Sequence, residues 1–350
     1  MKNFSCRPGI LTSIKKVLHG FIHSENSPLA KFGILSFDEM EVAHRYEYDQ
    51  ESDKIFGPFK KLQLAMVRGL FKKYKQPIYY DFDKQMKKDL LFHIIQNTEE
   101  AGVWVCGIVC DLGNYGLINS LGVSPDHPYF TNPADQSRKI FVFPDAPHLL
   151  KLCRNHLLRE GYQINENNTI RREDLEKILE FDNNETRICP KLTTEHFDCE
   201  GSAKQKVRPA AQVLSHSVAT ALRLLFNDKQ SQSEWVETIN SWFDIFNSRM
   251  QFDANNLKCG FGIHLLEQKR ELEKMVETTT KMRSMRHKNL LPFQKGILIG
   301  IKSLFMLYDE LSQSHGVQYI RTVCLNQDIL ENFFSRIRAI GITDSHPGIK

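Results

Sequence analysis

The sequence predicts a mixed α/β core that is interrupted by a large helical insertion. Over the first 160 residues, segments rich in β-branched and aromatic residues alternate with segments whose apolar residues recur at helical spacing. From residue 161 to residue 322 the helical spacing dominates and little β alternation remains. A last amphipathic segment follows over residues 326–341. A chain of 350 residues is long enough for one domain with an insertion of this size.

The composition is that of an ordinary globular protein, with 41% hydrophobic and 25% charged residues. A formal net charge of +4 permits an anionic partner such as nucleic acid but does not require one. No apolar run approaches the length of a membrane span, and the N-terminal residues lack a secretory signal pattern. We therefore expect an intracellular protein with no membrane partner.

The eight cysteines are scattered along the chain, which predicts reduced thiols rather than a disulfide framework. Cys106 and Cys110 share one face of a predicted strand without a second ligand pair. Cys189, His196 and Cys199 form a partial zinc set in which one ligand is missing. Structural thiols are therefore the favoured interpretation, with a zinc site as the alternative.

The predicted elements follow one another in an order that favours a sheet with helices packed on it. A leading helix covers residues 10–22, and the segments KFGILSFDEM, EVAHRYEYDQESDKIFG and VRGLFKKYKQPIYYDF predict an antiparallel meander of three strands. A helix ending near Gly102, a doubly buried strand in VWVCGIVCDLG, a polar loop, a short strand and a further helix complete the order. We predict domain boundaries at residues 1–30, 31–160, 161–322 and 323–350.

Two of these strands end in carboxylates, although burying a charge is costly unless it is paired or binds a metal. Asp38 and Glu39 end the first strand, and Asp111 ends the fourth. This order of elements with carboxylates at these strand ends is typical of a ribonuclease-H-like fold with a mixed five-stranded sheet. Mg²⁺ prefers carboxylate oxygens, so Asp38 and Asp111 are candidate metal ligands. Glu39 points to the opposite face of the strand and is expected to be a solvated or a capping residue.

A third carboxylate is expected on a later helix, and the segment NQDILENFFSRIRAIG supplies Glu331. The apolar residues of this segment fall on one helical face. They are Ile329, Leu330, Phe333, Phe334, Ile337 and Ile340. Glu331 lies at the border of that face, where a helix can pack on a sheet while the carboxylate reaches past it.

Several other features allow two interpretations each. Asp145 is a candidate extra acid near a metal or a helix N-cap, and His148 is a candidate catalytic helper or a structural histidine at the same helix start. The basic run KMRSMRHK, residues 281–288, contains no acid and predicts either a solvated helix face or a contact with phosphates. Trp235 and Trp242 are predicted to be core residues.

The strings SFDEM, CDLGNYG, PDAPHLLKLCRNHL and QDILENFFSRIR occur in this order and resemble the P element transposase family, which includes proteins that carry a THAP domain. The resemblance extends from about Gly9 to Pro347. It implies a nuclear cut-and-paste DNA transposase that acts on transposon ends and target DNA as a homo-oligomer. It places Asp38, Asp111 and Glu331 at the family's DDE triad, which binds two Mg²⁺ or Mn²⁺ ions.

The resemblance also implies that the insertion is a helical domain that binds GTP, which organises the protein on DNA and is not hydrolysed for the chemistry. No GxxxxGK[ST] string is present, so a P-loop is excluded. The positions that match the family's nucleotide contacts are Lys191, Lys206, Val207, Phe243, Asp244, Asn247 and Asp328.

Two departures from the family pattern leave alternatives open. The sequence contains neither the zinc-coordinating THAP domain nor the coiled coil that follows it in relatives, and it stops at Lys350, where relatives continue. It also has Gly341 and Ile342 where two glycines are common. A fragment, a truncated gene and a domesticated remnant all fit. The function is accordingly an active transposase, a nuclease without transposition, or a non-catalytic derivative that binds DNA or a protein partner.

Overall fold

The computed structural model describes residues 7–23, 27–50, 53–181, 187–198 and 201–340. The chain forms two compact units: the first runs to Phe143 and resumes at Cys324, and the second is Pro144–Val323. The helices and strands of the first unit are β1 Gly9–Ile10, α1 Ile14–His23, β2 Phe32–Glu41, β3 Glu47–Asp49, β4 Lys54–Phe56, β5 Lys61–Gly69, β6 Lys75–Phe82, α2 Lys88–Glu100, β7 Trp104–Cys110, α3 Tyr115–Ser120, β8 Tyr129–Thr131, β9 Lys139–Pro144 and α11 Asp328–Ile340.

The first unit is built on a seven-stranded mixed sheet in the order β1-β6-β5-β2-β7-β9-β8. Strand β2 pairs antiparallel with β5 and parallel with β7, and β5 pairs antiparallel with β6. Leu35 of β2 and Ile108 of β7 are fully buried, because these central strands are covered on both faces. The predicted mixed sheet is confirmed, but the predicted third strand, residues 67–82, is two strands, the end of β5 and β6, and the short strands β1 and β8 lie at the two edges.

The predicted second strand lies elsewhere. Residues 47–49 and 54–56 pair as a separate two-stranded ribbon, β3 and β4, in which Tyr48 lies opposite Ile55. The neighbour of β2 in the main sheet is β5, which begins at Lys61. Most of the described side chains between Ala43 and Ile55 are exposed, so this segment has too few buried residues for a strand that is covered on both faces. The predicted polar loop before β9 likewise contains α3 and β8.

Helix α11 packs on the sheet through a small apolar cluster. Its residues Leu330 and Phe334 contact a cluster that includes Met40 of β2 and Leu64 of β5. Leu64 pairs with Asp38 in the β2–β5 register. Since side chains alternate between the two faces of a strand, Asp38 and Met40 point to the face that α11 covers.

The second unit consists mainly of helices around its own core. Helices α4 and α10 pack together, α7 packs on α8, and α8 packs on α9. Trp235 and Trp242 are buried, as predicted. Its helices and strands are α4 Ala146–Arg159, β10 Tyr162–Gln163, β11 Thr169–Ile170, α5 Arg172–Leu179, α6 Val207–Val213, α7 His216–Leu225, α8 Gln230–Phe246, α9 Leu265–Lys281, β12 Arg283–Ser284 and α10 Pro292–His315.

Two features of the second unit differ from the prediction. Strands β10, β11 and β12 form a small three-stranded sheet, which is not predicted because each strand is only two residues long and shows no alternation. Helix α4, which we placed before the insertion, groups with the second unit because its buried face packs on α6 and α10. Within the described residues no helix is both long and apolar enough to cross a bilayer.

Candidate functional site

The sheet register brings Asp38 and Asp111 to the same level on adjacent strands. Ile34 pairs with Gly107 and Ser36 with Val109 in the parallel β2–β7 ladder. The same offset puts Asp38 beside Asp111, the residue that follows β7. Residues at the same level of neighbouring parallel strands point to the same face, so both carboxylates face the side that α11 covers.

Each of these two aspartates is held by local hydrogen bonds. The backbone N–H of Glu39 donates to Oδ1 of Asp38 at 2.8 Å. The side-chain amide of Asn114 donates to Oδ1 of Asp111 at 2.9 Å. Gly113 lies so close that a Cβ there would sit 3.0 Å from Oδ1 of Asp111. The chain after β7 therefore folds back around the Asp111 carboxylate, and Asn114 and Gly113 are contributors that the sequence analysis did not identify.

Both aspartates line one open cavity of about 660 Å³ at this end of the sheet. Three lysines also line it, Lys60, Lys61 and Lys84. Lys61 Nζ lies 2.6 Å from Glu39, and this bond raises the pKa of Lys61. Glu39 thus forms an ion pair with Lys61 and is half-buried.

Glu331 is not part of the lining of this cavity. It lies in the first turn of α11 with its side chain exposed, and its N–H donates to the carbonyl of Gln327 at 3.1 Å. The Gln327 side chain donates to the carbonyl of Phe37 at 2.8 Å, next to Asp38 in β2. The start of α11 is thereby fixed to the carboxylate strand, one helical turn before Glu331.

In the part of the chain that the structure describes, no three His, Cys, Asp or Glu side chains are grouped closely enough to hold a metal ion. The structure therefore brings together two of the three predicted ligands. The carboxylate oxygens of Asp38 and Asp111 fit a hard divalent cation. The hydrogen bond from Asn114 holds the Asp111 carboxylate in place, as a residue behind a metal ligand does.

The structure decides the role of Asp145. Its carboxylate accepts a hydrogen bond from the backbone N–H of His148 at 2.9 Å, at the start of α4. Asp145 is therefore a helix N-cap in the second unit, and His148 provides the capped N–H.

The partial zinc set and the basic run also have defined surroundings. The ring nitrogens of His196 bond to Thr193 and to Gln212, Cys189 Sγ donates to the carbonyl of Ser217, and Cys199 lies outside the described residues. The basic run is not one helix face. It contains the end of α9, the strand β12 and an exposed loop with Arg286, His287 and Lys288.

In the second unit, Asp244 lines a groove of about 590 Å³ beside α8. Its carboxylate lies 3.6 Å from Lys258 Nζ, and Asn240 donates to it at 3.3 Å. Burial raises the pKa of Asp244 above its usual value, against the opposing charge of Lys258. A half-buried carboxylate beside one lysine can accept hydrogen bonds from a ligand's N–H groups.

The other predicted nucleotide contacts do not line this groove. Phe243 and Asn247 flank Asp244 and are half-buried. Lys191 and Lys206 are exposed on the segments before α6, whose first residue is Val207. Asp328 is the first residue of α11, in the other unit. The assignment of these residues to GTP stays a prediction.

Comparisons with known proteins agree with this architecture. Two family profiles match the chain, a TNP-like RNase H N-terminal domain at residues 6–122 and a TNP-like GTP-binding insertion domain at residues 147–259. The Transposable element P transposase of Drosophila melanogaster is 37% identical over 327 residues, which are 91% of this chain and 43% of that protein. DNA transposase THAP9 of Homo sapiens is 25% identical over 81% of this chain and 34% of its own length.

A solved structure is similar over almost the whole chain. The structure described as the Drosophila P element transposase strand transfer complex superposes with a TM-score of 0.90 and 34% identity, over 98% of this chain and 79% of that one. The chain spans less than half of the length of the curated relatives it matches. The ribonuclease-H-like core and the insertion thus agree with the sequence prediction, and the chain belongs to the P element transposase family.

Proposed function

We propose that this protein is a DDE-type DNA transposase whose first unit cuts DNA at element ends and joins the freed 3′-hydroxyl to target DNA. The observation that carries the proposal is the common level of Asp38 and Asp111 at one cavity of the sheet. Two carboxylates at adjacent strand ends are what a metal-dependent phosphoryl transfer requires.

In this proposal Asp38, Asp111 and Glu331 hold two divalent cations, Mg²⁺ or Mn²⁺. When bound, such ions activate water and stabilise the attacking and leaving oxygens of an in-line displacement at phosphorus. Asp38 and Asp111 supply ligand oxygens from the rigid sheet, and Asn114 fixes the orientation of Asp111. The bond from Gln327 to Phe37 supports Glu331 as the third ligand, because it fixes the helix one turn away.

We further propose that the second unit binds GTP as an organising cofactor without hydrolysing it for the chemistry. Asp244 accepts hydrogen bonds from the guanine, Phe243 stacks on the base, and Lys191 and Lys206 bind phosphates. Val207, Asn247 and Asp328 complete the proposed set. The half-buried carboxylate of Asp244, whose pKa is raised by burial, supports the guanine assignment.

The partners of this activity are transposon-end DNA and target DNA, bound by a homo-oligomer in the nucleus. The exposed loop with Arg286, His287 and Lys288 supports a contact with the phosphate backbone. Binding to phosphates releases counterions, so the logarithm of DNA affinity falls linearly with the logarithm of salt concentration. Replacing Arg286 and Lys288 by Ala should make this slope shallower by about one unit for each phosphate that the protein no longer neutralises. DNA binding measured at several salt concentrations tests this assignment.

The activity is tested by strand transfer of pre-cleaved DNA with Mg²⁺ or Mn²⁺, with and without GTP. The variants are Asp38→Asn, Asp111→Asn and Glu331→Gln, which keep size and shape but remove the charge. Glu39→Gln is the matched control, because Glu39 is adjacent to Asp38 and is paired with Lys61. Thermal melting of each variant verifies that it is folded.

We expect all three variants to lose activity by about two orders of magnitude or more, and Glu39→Gln to keep it. Activity that survives Glu331→Gln would remove Glu331 from the proposed triad. A folded wild-type protein that binds Mn²⁺ and DNA but neither cuts nor joins DNA would establish the non-catalytic derivative instead.

A further inference from the structure

The cavity that contains Asp38 and Asp111 also carries positive charge on its other side. Its lining comes from one end of four neighbouring strands, in the sheet order β6-β5-β2-β7. Asp111 follows β7, and Asp38 lies near the end of β2. Lys60 directly precedes β5, and Lys84 is the second residue after β6. The two proposed metal ligands therefore lie on the β7 and β2 side, and these two lysines lie on the β5 and β6 side.

The third lysine of the cavity differs from the other two in its partners. Lys61 Nζ lies 2.6 Å from Glu39, and the negative charges of Glu39 and Glu41 raise the pKa of Lys61. Lys60 and Lys84 are exposed, and their side chains form no ion pair or hydrogen bond among the residues that the structure describes. These two ammonium groups are therefore available to an anion.

The backbone of Lys60 is held from two neighbouring strands. Oδ1 of Asp83, in the segment after β6, accepts hydrogen bonds from the N–H groups of Lys60 at 3.0 Å and Lys61 at 2.9 Å. The carbonyl of Lys60 accepts a hydrogen bond from the N–H of Val42, directly after β2, at 3.0 Å. The position of Lys60 is therefore fixed relative to Asp38, although its side chain is exposed.

The segment that carries Lys84 is fixed on both sides of this residue. The N–H of Asp83 donates to the carbonyl of Lys61 at 2.9 Å, and the side chain of Met86 is buried. Asp83 is the one acidic residue of the lining on this side, and its carboxylate is bound to backbone N–H groups. Two lysines therefore outweigh one aspartate at this side of the cavity.

We propose that Lys60 and Lys84 bind a phosphate of the DNA strand next to the phosphate that reacts at Asp38 and Asp111. This inference rests on the proposed function, since it takes DNA as the substrate. Neighbouring strands of a sheet lie about 4.8 Å apart, so β6 lies about 10 Å from β2. The phosphates of one DNA strand follow one another about every 3.4 Å along the helix axis. A strand that reacts at the carboxylates thus brings a further phosphate to the lysines.

The charges of the cavity favour this ligand over a simple anion. Asp38 and Asp111 alone would repel a DNA strand, and two nearby ammonium groups offset that repulsion. A lysine binds phosphate as a point charge without reading a base. The subsite therefore positions the DNA strand along the cavity and adds no sequence preference.

The test measures binding of the full chain, with Ca²⁺ in place of Mg²⁺, to a short duplex that ends in a 3′-hydroxyl. A set of these duplexes carries one neutral methylphosphonate in place of each phosphate near that hydroxyl in turn. The variants are Lys60→Gln, Lys84→Gln, the double variant and Lys60→Arg. Lys87→Gln is the matched control, because Lys87 is exposed in the same segment but does not line the cavity. Exposed substitutions of this kind leave the fold intact.

We expect one methylphosphonate position to weaken wild-type binding by about tenfold, because it removes a contact between charged groups. Lys60→Gln and Lys84→Gln should each bind the unmodified duplex more weakly, and the double variant should no longer respond to that position. Lys60→Arg and Lys87→Gln should keep the response. Affinity for Mn²⁺ without DNA should not fall in any variant, because the lysines are not ligands of the cation.

Three outcomes would overturn the inference and leave the proposed function standing. They are a wild type that responds equally to every methylphosphonate, a double variant that keeps the wild-type response, and a loss of Mn²⁺ affinity in Lys60→Gln. The last outcome would show that Lys60 acts through the carboxylates and not through a phosphate.

The binding measurement also separates this inference from the proposed function. A wild type that shows the expected binding pattern but no strand transfer with Mg²⁺ would support the phosphate subsite and contradict the proposed activity. A folded wild type that binds none of the duplexes would overturn both.

Discussion

The carboxylate cavity of the first unit and the Asp244 groove of the second use the same functional group in opposite ways. Asp111 takes part in no ion pair among the described residues, and its partner is the neutral amide of Asn114. Asp244 already has Lys258 at 3.6 Å and is half-buried. The first arrangement leaves negative charge for an external cation, whereas the second leaves acceptor oxygens for a ligand with N–H groups. This difference indicates which substitutions each site should tolerate.

The two regions also differ in what places their carboxylates. In the first unit the backbone ladder of β2 and β7 sets the level of Asp38 and Asp111. In the second unit Asp244 depends on the packing of α8 and on side chains that follow it in the chain, such as Lys258. Changes in the sheet cluster should therefore affect folding, and changes near Asp244 should affect binding with little loss of stability.

The largest expected effect concerns the cluster that fixes α11 to the sheet. Leu330 is fully buried in it, so Leu330→Ala should lower the free energy of unfolding by about 2–5 kcal/mol. Leu224→Ala, at a position 71% exposed in the second unit, should change it by less than about 0.5 kcal/mol. Denaturant unfolding measures both, and equal effects would show that α11 does not pack on the sheet as described.

The next effect concerns the space around Asp111. A Cβ at residue 113 would sit 3.0 Å from Oδ1 of Asp111, whereas a Cβ at Gly116 would meet nothing within 4 Å. Gly113→Ala should slow strand transfer by about a hundredfold by displacing the carboxylate, and Gly116→Ala should leave the rate unchanged. Both variants should melt like the wild type. Equal rates in the two variants would contradict the proposed role of Asp111.

A smaller effect is expected in the groove of the second unit. Asp244→Asn should weaken GTP binding by about tenfold, because it removes a charged acceptor. It should not lower the melting temperature, since burial raises the pKa of Asp244 and the ionised carboxylate is costly in the fold. Glu267→Gln is the matched control in the same groove. Titration calorimetry with GTP distinguishes the two, and an unchanged affinity in Asp244→Asn would place the guanine elsewhere.

The smallest effect is the acid sensitivity of the link between α4 and β12. Although burial opposes it, bonds from Ser284 and Arg159 hold the pKa of Glu160 at about 2. A lowered carboxyl pKa contributes stability above the unfolded value of 4.5, and this contribution disappears as the pH falls toward 2. The urea midpoints of wild type and Glu160→Gln should therefore differ at pH 6 and converge in acid.

Glu166→Gln is the control for this comparison, because Glu166 is exposed in the turn between β10 and β11. A difference between wild type and Glu160→Gln that stays constant from pH 6 into the acid range would show that the charge of Glu160 does not stabilise the unit.

The sequence predicted those features that follow from the local pattern of apolar and polar residues. The apolar residues are continuous in β2, in β7 and on one face of α11, so the kind of element and its ends could be identified. Once the two strands are adjacent, the common level of Asp38 and Asp111 follows. The ribbon of β3 and β4 could not be separated from the main sheet, because only tertiary packing decides which partner a short polar strand takes.

The contacts around the carboxylates could not be predicted from sequence patterns. Asn114 lies three residues after Asp111, a spacing that permits a local hydrogen bond, but the approach of Gly113 to the carboxylate depends on the turn after β7. The bond from Gln327 to Phe37 joins residues almost 300 positions apart, so no local signal could have revealed it.

The central claim is that Asp38 and Asp111 together hold a divalent cation. The most direct measurement is titration of Mn²⁺ into the full chain, followed by the electron paramagnetic resonance signal of the free ion, for wild type, Asp38→Asn, Asp111→Asn and the control Glu39→Gln. The account predicts at least about tenfold weaker Mn²⁺ binding in both aspartate variants and unchanged binding in the control. Unchanged Mn²⁺ affinity in a folded Asp111→Asn protein would contradict it.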